Sequence, residues 1–418
     1  MKRIALLLCA AMIAFAPLVT LAAAAPSTDD FYKLCTDGTL EQIKTALRAG
    51  ADVNAKAKNG WTMLMGAAER SKDPHVVTAL IQAGADVNAK AKSGLTALTK
   101  AASRNNAEIL KILIQAGADV NAKGPGDWTA LMAAAERSKD PNVVAALIQA
   151  GADVDAKADN GWSALMAAAR YNDNPEVLRA LIKAGADVNT KSINDTTALI
   201  LAVEHSKNHN VIHILIQEGA DANAINHLQQ TPLTKAAAKN NAEILKRLIQ
   251  AGADVNAQKE GNWTALRWAA ERSKDPDLVA ALIQAGADVN AKDREDWTAL
   301  ALAARYNKYP KVLNALLQGG ADVDAKTNFD ATPLMLAAAE NNAEVLTVLI
   351  EAGADVNAKM NEGRTSLNVA VETRGPEIVS LLLAAGAIVS ENDLELAQKN
   401  ERLKGTAIIE ELKQKLKN

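Results

Sequence analysis

Aromatic side chains are scarce in this sequence. Six Trp, four Tyr and three Phe are all that 418 residues contain. Large rings normally anchor a globular core, so Ala, Leu, Ile and Val must build this one, and small residues suit closely stacked helices. Cysteine is nearly missing, with Cys9 and Cys35 alone. Beyond the first thirty or so residues no apolar run is long enough to cross a bilayer. Neither sign of charge dominates: 46 Lys and Arg against 49 Asp and Glu leave a net charge of −3. That balance gives nucleic-acid binding no support. The catalytic signatures are missing too. There is no H-E-x-x-H, no G-x-S-x-G and no P-loop, and the carboxylates fall at repeated, solvated positions. No catalytic residue, no enzymatic activity and no cofactor is expected.

What is present begins with "MKRIALLLCAAMIAFAPLVTLAAAAPSTDD". Lys2 and Arg3 precede an apolar run from Ile4 to Leu21, and Ala22 to Ala25 follow. The pattern predicts a secretory signal peptide over residues 1–24. Cleavage is expected after Ala24, because Pro26 disfavours a cut directly before it. The alternative, an uncleaved anchor, needs a run near the lower length limit for a span. Cys9 follows Leu8 and lies too early for a lipoprotein cysteine. The mature chain is then periplasmic or secreted, has no stable membrane insertion, and carries a net charge of −5 once Lys2 and Arg3 leave the total of −3. Its single cysteine excludes an intramolecular disulfide. Cys35 reads as a small buried residue of the first helix rather than a reactive thiol or an interchain bridge.

The rest of the chain is repetitive. The marker "GADVNAK" and its variants place a glycine at Gly50, Gly84, Gly117, Gly151, Gly185, Gly219, Gly252, Gly286, Gly320, Gly353 and Gly386, in steps of 33 or 34 residues. Periods of this size signal a repeat array. Each unit follows one grammar. Thr129, or an equivalent Thr or Ser, caps a short helix, "ALMAAAER". Asp140 caps a second helix, with Pro141 at its first position. Val143, Val144, Leu147 and Ile148 give that helix an apolar face. Gly151 then supplies a left-handed C-cap, and "ADVDAKADNGW" reads as an extended turn or hairpin. Three units, around "RNNAEIL", "KNNAEIL" and "ENNAEVL", are one residue shorter between their helices. One unit alone cannot bury its apolar face; stacked neighbours can. A longer period overlies the first. Gly117, Gly151 and Gly185 recur as Gly252, Gly286 and Gly320, each 135 residues on, and "AARYNDNPEVLRALI" matches "AARYNKYPKVLNALL". A block of four repeats has been duplicated.

These units resemble the ankyrin repeat. "NGWTMLMGAAE" from Asn59, "QTPLTKAAAK" from Gln230 and "ATPLMLAAAE" from Ala331 carry its first signature, and the eleven glycine marks carry its second. The resemblance covers nearly everything after the signal peptide. It implies an all-α solenoid of helix–turn–helix units with β-hairpin fingers, about twelve helix pairs with the caps. One domain is expected over residues 25–418: an N-terminal cap at 28–49, ten central repeats over 50–390 and C-terminal cap helices at 391–418. The departures are systematic. The family's Pro survives only as Pro232 and Pro333. Its His after the leucine is replaced throughout, by Met65, Thr99, Met132, Met166, Ile200, Thr234, Arg267, Ala301, Met335 and Asn368. This bears on the family's Thr–His hydrogen bonding, not on its fold.

The resemblance also implies a protein-binding groove lined by the fingers and the inner helices, with three positions per repeat facing it. The first precedes the Thr and holds Trp61, Trp128, Trp162, Trp263 and Trp297. The second and third follow the Ala-Ala of the first helix. They hold Glu69, Glu136, Arg170, Glu204, Glu271 and Arg305, then Arg70, Arg104, Arg137, Tyr171, Arg272 and Tyr306. Trp, Tyr and Arg dominate interface hot spots, so these Trp, Arg and Tyr residues are the candidate partner-binding set. The competing reading is that a finger Trp packs on the next finger and the charges form a solvated, self-compensating face. Polar Thr196 and Gln230 separate the two Trp groups, which suggests two binding segments. His205, His209 and His213 stand four apart, with His227 beyond, but His209 falls at a turn between helices. No metal site is expected, since the rings need not converge. The chain therefore reads as a monomeric, non-catalytic scaffold for protein partners outside the cytoplasm. Alternatives are a glycan- or cell-wall-binding Trp row and a secreted effector that binds host proteins.

Overall fold

The computed structural model describes residues 24–417 apart from 105, 259–262 and 341–342. Of the expected signal peptide only Ala24 lies among them. The chain forms two compact units, one up to Asp159 and one from Asn160.

The first unit holds four helix pairs: α1 (Thr28–Asp37) with α2 (Leu40–Arg48), α3 (Met63–Arg70) with α4 (Pro74–Gln82), α5 (Ala97–Ser103) with α6 (Ala107–Gln115), and α7 (Ala130–Arg137) with α8 (Pro141–Gln149). The second holds eight: α9 (Ala164–Tyr171) with α10 (Pro175–Lys183), α11 (Ala198–His205) with α12 (His209–Gln217), α13 (Pro232–Ala238) with α14 (Ala242–Gln250), α15 (Ala265–Arg272) with α16 (Pro276–Gln284), α17 (Ala299–Tyr306) with α18 (Pro310–Gln318), α19 (Pro333–Glu340) with α20 (Ala343–Glu351), α21 (Ser366–Thr373) with α22 (Pro376–Ala384), and α23 (Glu391–Lys399) with α24 (Ala407–Lys417). Within each unit every first helix packs on the next first helix, and every second helix on the next second helix. The core runs between them as a strip of Ala, Leu, Val and Ile.

Local chemistry explains the elements. Thr129 lies outside α7 and accepts from the Met132 amide at 3.3 Å, and the equivalent Thr or Ser does the same in the other repeats. This bond goes from the cap to the third helical amide and needs no His. Where the His position holds Thr234 or Asn368, that side chain bonds back to the cap amide and completes a capping box. Asp140 caps α8 with Pro141 behind it. Gly151 has φ +88°, and a Cβ there would meet nothing within 4 Å; glycine is kept for the backbone angle, not for space.

The Asn of each "GADVN" mark joins one repeat to the next. Asn54 donates to the Gly84 carbonyl at 2.9 Å and accepts from the Asp86 amide at 2.8 Å. Asn88 and Asn121 repeat this bond pair in the first unit, and Asn189, Asn223, Asn256, Asn290 and Asn357 in the second. Asp324 stands in the same place with a carboxylate. It still accepts, from the Asp355 amide at 3.0 Å, but has no proton to donate.

Among the described residues the expected β-hairpin fingers do not show as paired strands. Among the described residues one isolated antiparallel bridge, Lys56 with Thr62, is the whole β content. A finger is a tight turn held by a few local backbone bonds, such as the Gly124 amide on the Trp128 carbonyl at 2.9 Å and the Asp127 amide on the Gly124 carbonyl at 3.1 Å. So short a segment does not extend into a ladder, and residues such as Asp296 at φ +58° turn the chain instead.

Candidate functional site

Each finger delivers the residue before the capping Thr to the start of a first helix, and the helix carries the second and third positions at its far end. In the first unit, Trp61 and Trp128 are half-buried. The Lys100 ammonium, from the following repeat, lies 4.3 Å from the Trp61 ring centre. It also bonds Glu69 at 3.2 Å, and Arg104 reaches the same carboxylate at 3.3 Å. Arg70 approaches Asp37 at 3.6 Å, and Arg137 pairs with its neighbour Glu136 at 3.2 Å. Arg70, Arg104 and Arg137 are exposed.

The second unit builds tighter clusters. Trp162 and Tyr171, from the two ends of α9, bring their rings to 6.1 Å, and the Arg170 guanidinium lies 5.6 Å from one and 5.1 Å from the other. Trp297 and Tyr306 stack at 6.4 Å, with Arg305 at 5.5 and 5.1 Å. Tyr171 and Tyr306 are half-exposed. Trp297 is only 9% exposed, and it packs with Ala301, Leu302, Ala331, Met335 and Leu336, with Trp263 against the same group. Finger-to-finger packing thus accounts for Trp297 and for part of Trp263.

Around them opens a cleft of about 540 Å³, lined by Trp263, Trp268, Trp297, Arg272, Arg305 and Tyr306 among others. Trp268 is a functional candidate that the three sequence columns pass over. It lies four residues after Thr264, packs against Trp263 in a tilted pair at 4.9 Å and carries Arg272 at 4.8 Å. Its signal was its rarity. Arg267 occupies the family's His position and is 1% exposed. It pairs with Asp293, whose other oxygen accepts the Glu295 and Trp297 amides at 2.8 and 2.9 Å. This ion pair fixes the turn that carries Trp297.

Elsewhere the candidates stay apart. His209 bonds Glu243 at 3.0 Å and Asn241 at 3.1 Å, and His213 faces Arg247 at 3.2 Å. His205 lies on the preceding helix, its pKa lowered by burial and then by the Arg170 charge. The rings have different partners, and no group of three metal-ligating side chains occurs among the described residues. Cys35 is buried in α1, and burial pushes its thiol up to about 12. Among the described residues no helix is long and apolar enough to cross a membrane.

A protein-family model described as "Ankyrin repeats (3 copies)" matches residues 31–124, 121–192, 199–293, 233–327 and 300–393. No curated protein matches the chain.

Proposed function

The chain belongs to the ankyrin-repeat family, and from that premise we propose that it is a non-catalytic scaffold that holds a protein partner against the finger turns and the ends of the first helices. One observation carries the choice of ligand class. A cation already covers a ring face at Trp61, Trp162, Trp263 and Trp297, and Trp297 is almost wholly buried. Sugar stacking needs open ring faces. A protein partner can instead use the rims of these clusters, where Tyr171, Tyr306 and the arginines remain accessible.

The location outside the cytoplasm rests on the basic start, the apolar run and the Ala-rich end of residues 1–25. Cell fractionation with N-terminal sequencing tests it, with Ala25 expected as the first residue of the mature protein. The scaffold reading is tested by crosslinking the mature chain in periplasmic extract. Wild type is expected to yield discrete crosslinked proteins, and the Tyr171→Ala, Tyr306→Ala, Arg137→Ala variant to lose them. Binding to isolated cell wall in place of protein would reverse the choice.

A further inference from the structure

The two Trp–Arg–Tyr clusters of the second unit are copies of one device. Trp162, Arg170 and Tyr171 recur 135 residues on as Trp297, Arg305 and Tyr306. Ring separations of 6.1 and 6.4 Å, and Arg-to-Tyr distances of 5.1 Å in both, keep the same spacing in the two copies, with the rings tilted by 33° in the first and stacked at 19° in the second. In both copies the arginine Nε is enclosed and has no hydrogen-bond partner. The two rings lie within 5.6 Å of the guanidinium carbon and the Nε is enclosed, so the donors at the outer end are what it can offer. That end matches a carboxylate fork to fork.

Neither arginine has a well-placed carboxylate of its own. Arg170 makes no ion pair among the described residues. The next repeat presents His205, with Lys235 and Lys239 also near that ring, and the nearby Glu204 is held by Lys235 at 2.9 Å. Arg305 has Glu340 at 3.7 Å, which Arg374 shares at 3.8 Å; both exceed a good hydrogen bond. The charge around Arg170 is thus positive in a chain whose total is negative, and the acids that line the cleft of Arg305 include Glu271, held by Arg272 at 3.2 Å, Asp293, held by Arg267, and Glu295.

We propose that the two clusters are matched receptor sites for carboxylate side chains, through which the second unit holds one acidic polypeptide at two points. The proposal rests on the scaffold reading and names the chemistry it selects. Four repeats at a helix-packing distance separate the points by roughly 40 Å, which an extended segment spans in about twelve residues. The half-exposed Tyr171 and Tyr306 give the segment an apolar shelf beside each carboxylate.

The test uses the full mature chain and two synthetic probes in low-salt calorimetry. One is acetylated hexaglutamate; the other joins two hexaglutamate ends through about twenty Gly and Ser residues, long enough to bridge the sites. Two hexaglutamates per chain are expected, and one linked peptide bound at least about tenfold tighter. Arg170→Gln and Arg305→Gln should each remove one hexaglutamate and abolish the linked gain, with circular dichroism unchanged. Arg170→Lys, which keeps charge without the fork, should fall between. Wild-type binding of the linked peptide by both Gln variants would overturn the proposal. So would tighter binding of an oligothymidine of equal charge. Capture of the same crosslinked protein by wild type and both Gln variants would also remove the carboxylate sites, yet leave the scaffold reading standing.

Discussion

At the scale of single residues, burial and backbone angle decide what each side chain can do. Cys35, buried in α1 with its thiol raised to about 12, carries little thiolate at neutral pH, which suppresses its reactivity. The native chain should resist iodoacetamide at pH 8 and react in urea; rapid native labelling would contradict this. The same shift makes folding less favourable as pH climbs from the ordinary thiol value of 9.0 towards 12, because the unfolded thiol ionises first. Gly151, at φ +88° with open space around it, predicts a purely conformational cost. Gly151→Ala should lose about 1 kcal/mol in urea unfolding, and Gly151→Asn less. Trp297 needs the opposite caution. Trp297→Ala should cost about 3–5 kcal/mol of stability, so lost partner binding in that variant reads as lost structure. Tyr306→Ala, with its ring half outside, separates the two effects.

At the scale of elements, the connections between repeats matter as much as the helices. Asp324 supplies one bond where Asn290 supplies two. Asp324→Asn should therefore stabilise the second unit by about 0.5–1.5 kcal/mol, and Asn256→Asp should weaken it by a similar amount; shifts in urea midpoint measure both. Arg267→Ala strands Asp293 in a largely buried place and should cost about 3 kcal/mol or more. Much of this scale was legible in the sequence. Thr129, Asp140, Pro141 and Gly151 act within one turn of their own position, so local grammar placed them. The Asn bonds were hidden because Asn54 acts on residues thirty or more positions away. Arg267 looked like a lost family His; only its packing against Trp263 and Asp293 shows what replaced it. The fingers read as hairpins because turn-forming residues do not reveal how few backbone bonds will close. Of the candidate site, the columns held Arg170, Arg305 and Arg272, which lie over rings, whereas Lys100 over Trp61, Arg267 over Trp263 and Trp268 itself come from positions outside them.

At the scale of the whole molecule, repetition supplies both the solenoid and the binding chemistry proposed for it. The family match spans most of the chain, and duplication of a four-repeat block copied the Trp–Arg–Tyr cluster with it. The central claim, that a partner lies along the finger turns and first-helix ends, has a direct test. Hydrogen–deuterium exchange of the mature chain is measured with and without the captured partner. The prediction is slowed exchange in segments 61–71, 128–138, 162–172 and 297–307, with the second helices, such as Pro141–Gln149, unchanged. Protection confined to the second helices, or none at all, would contradict it.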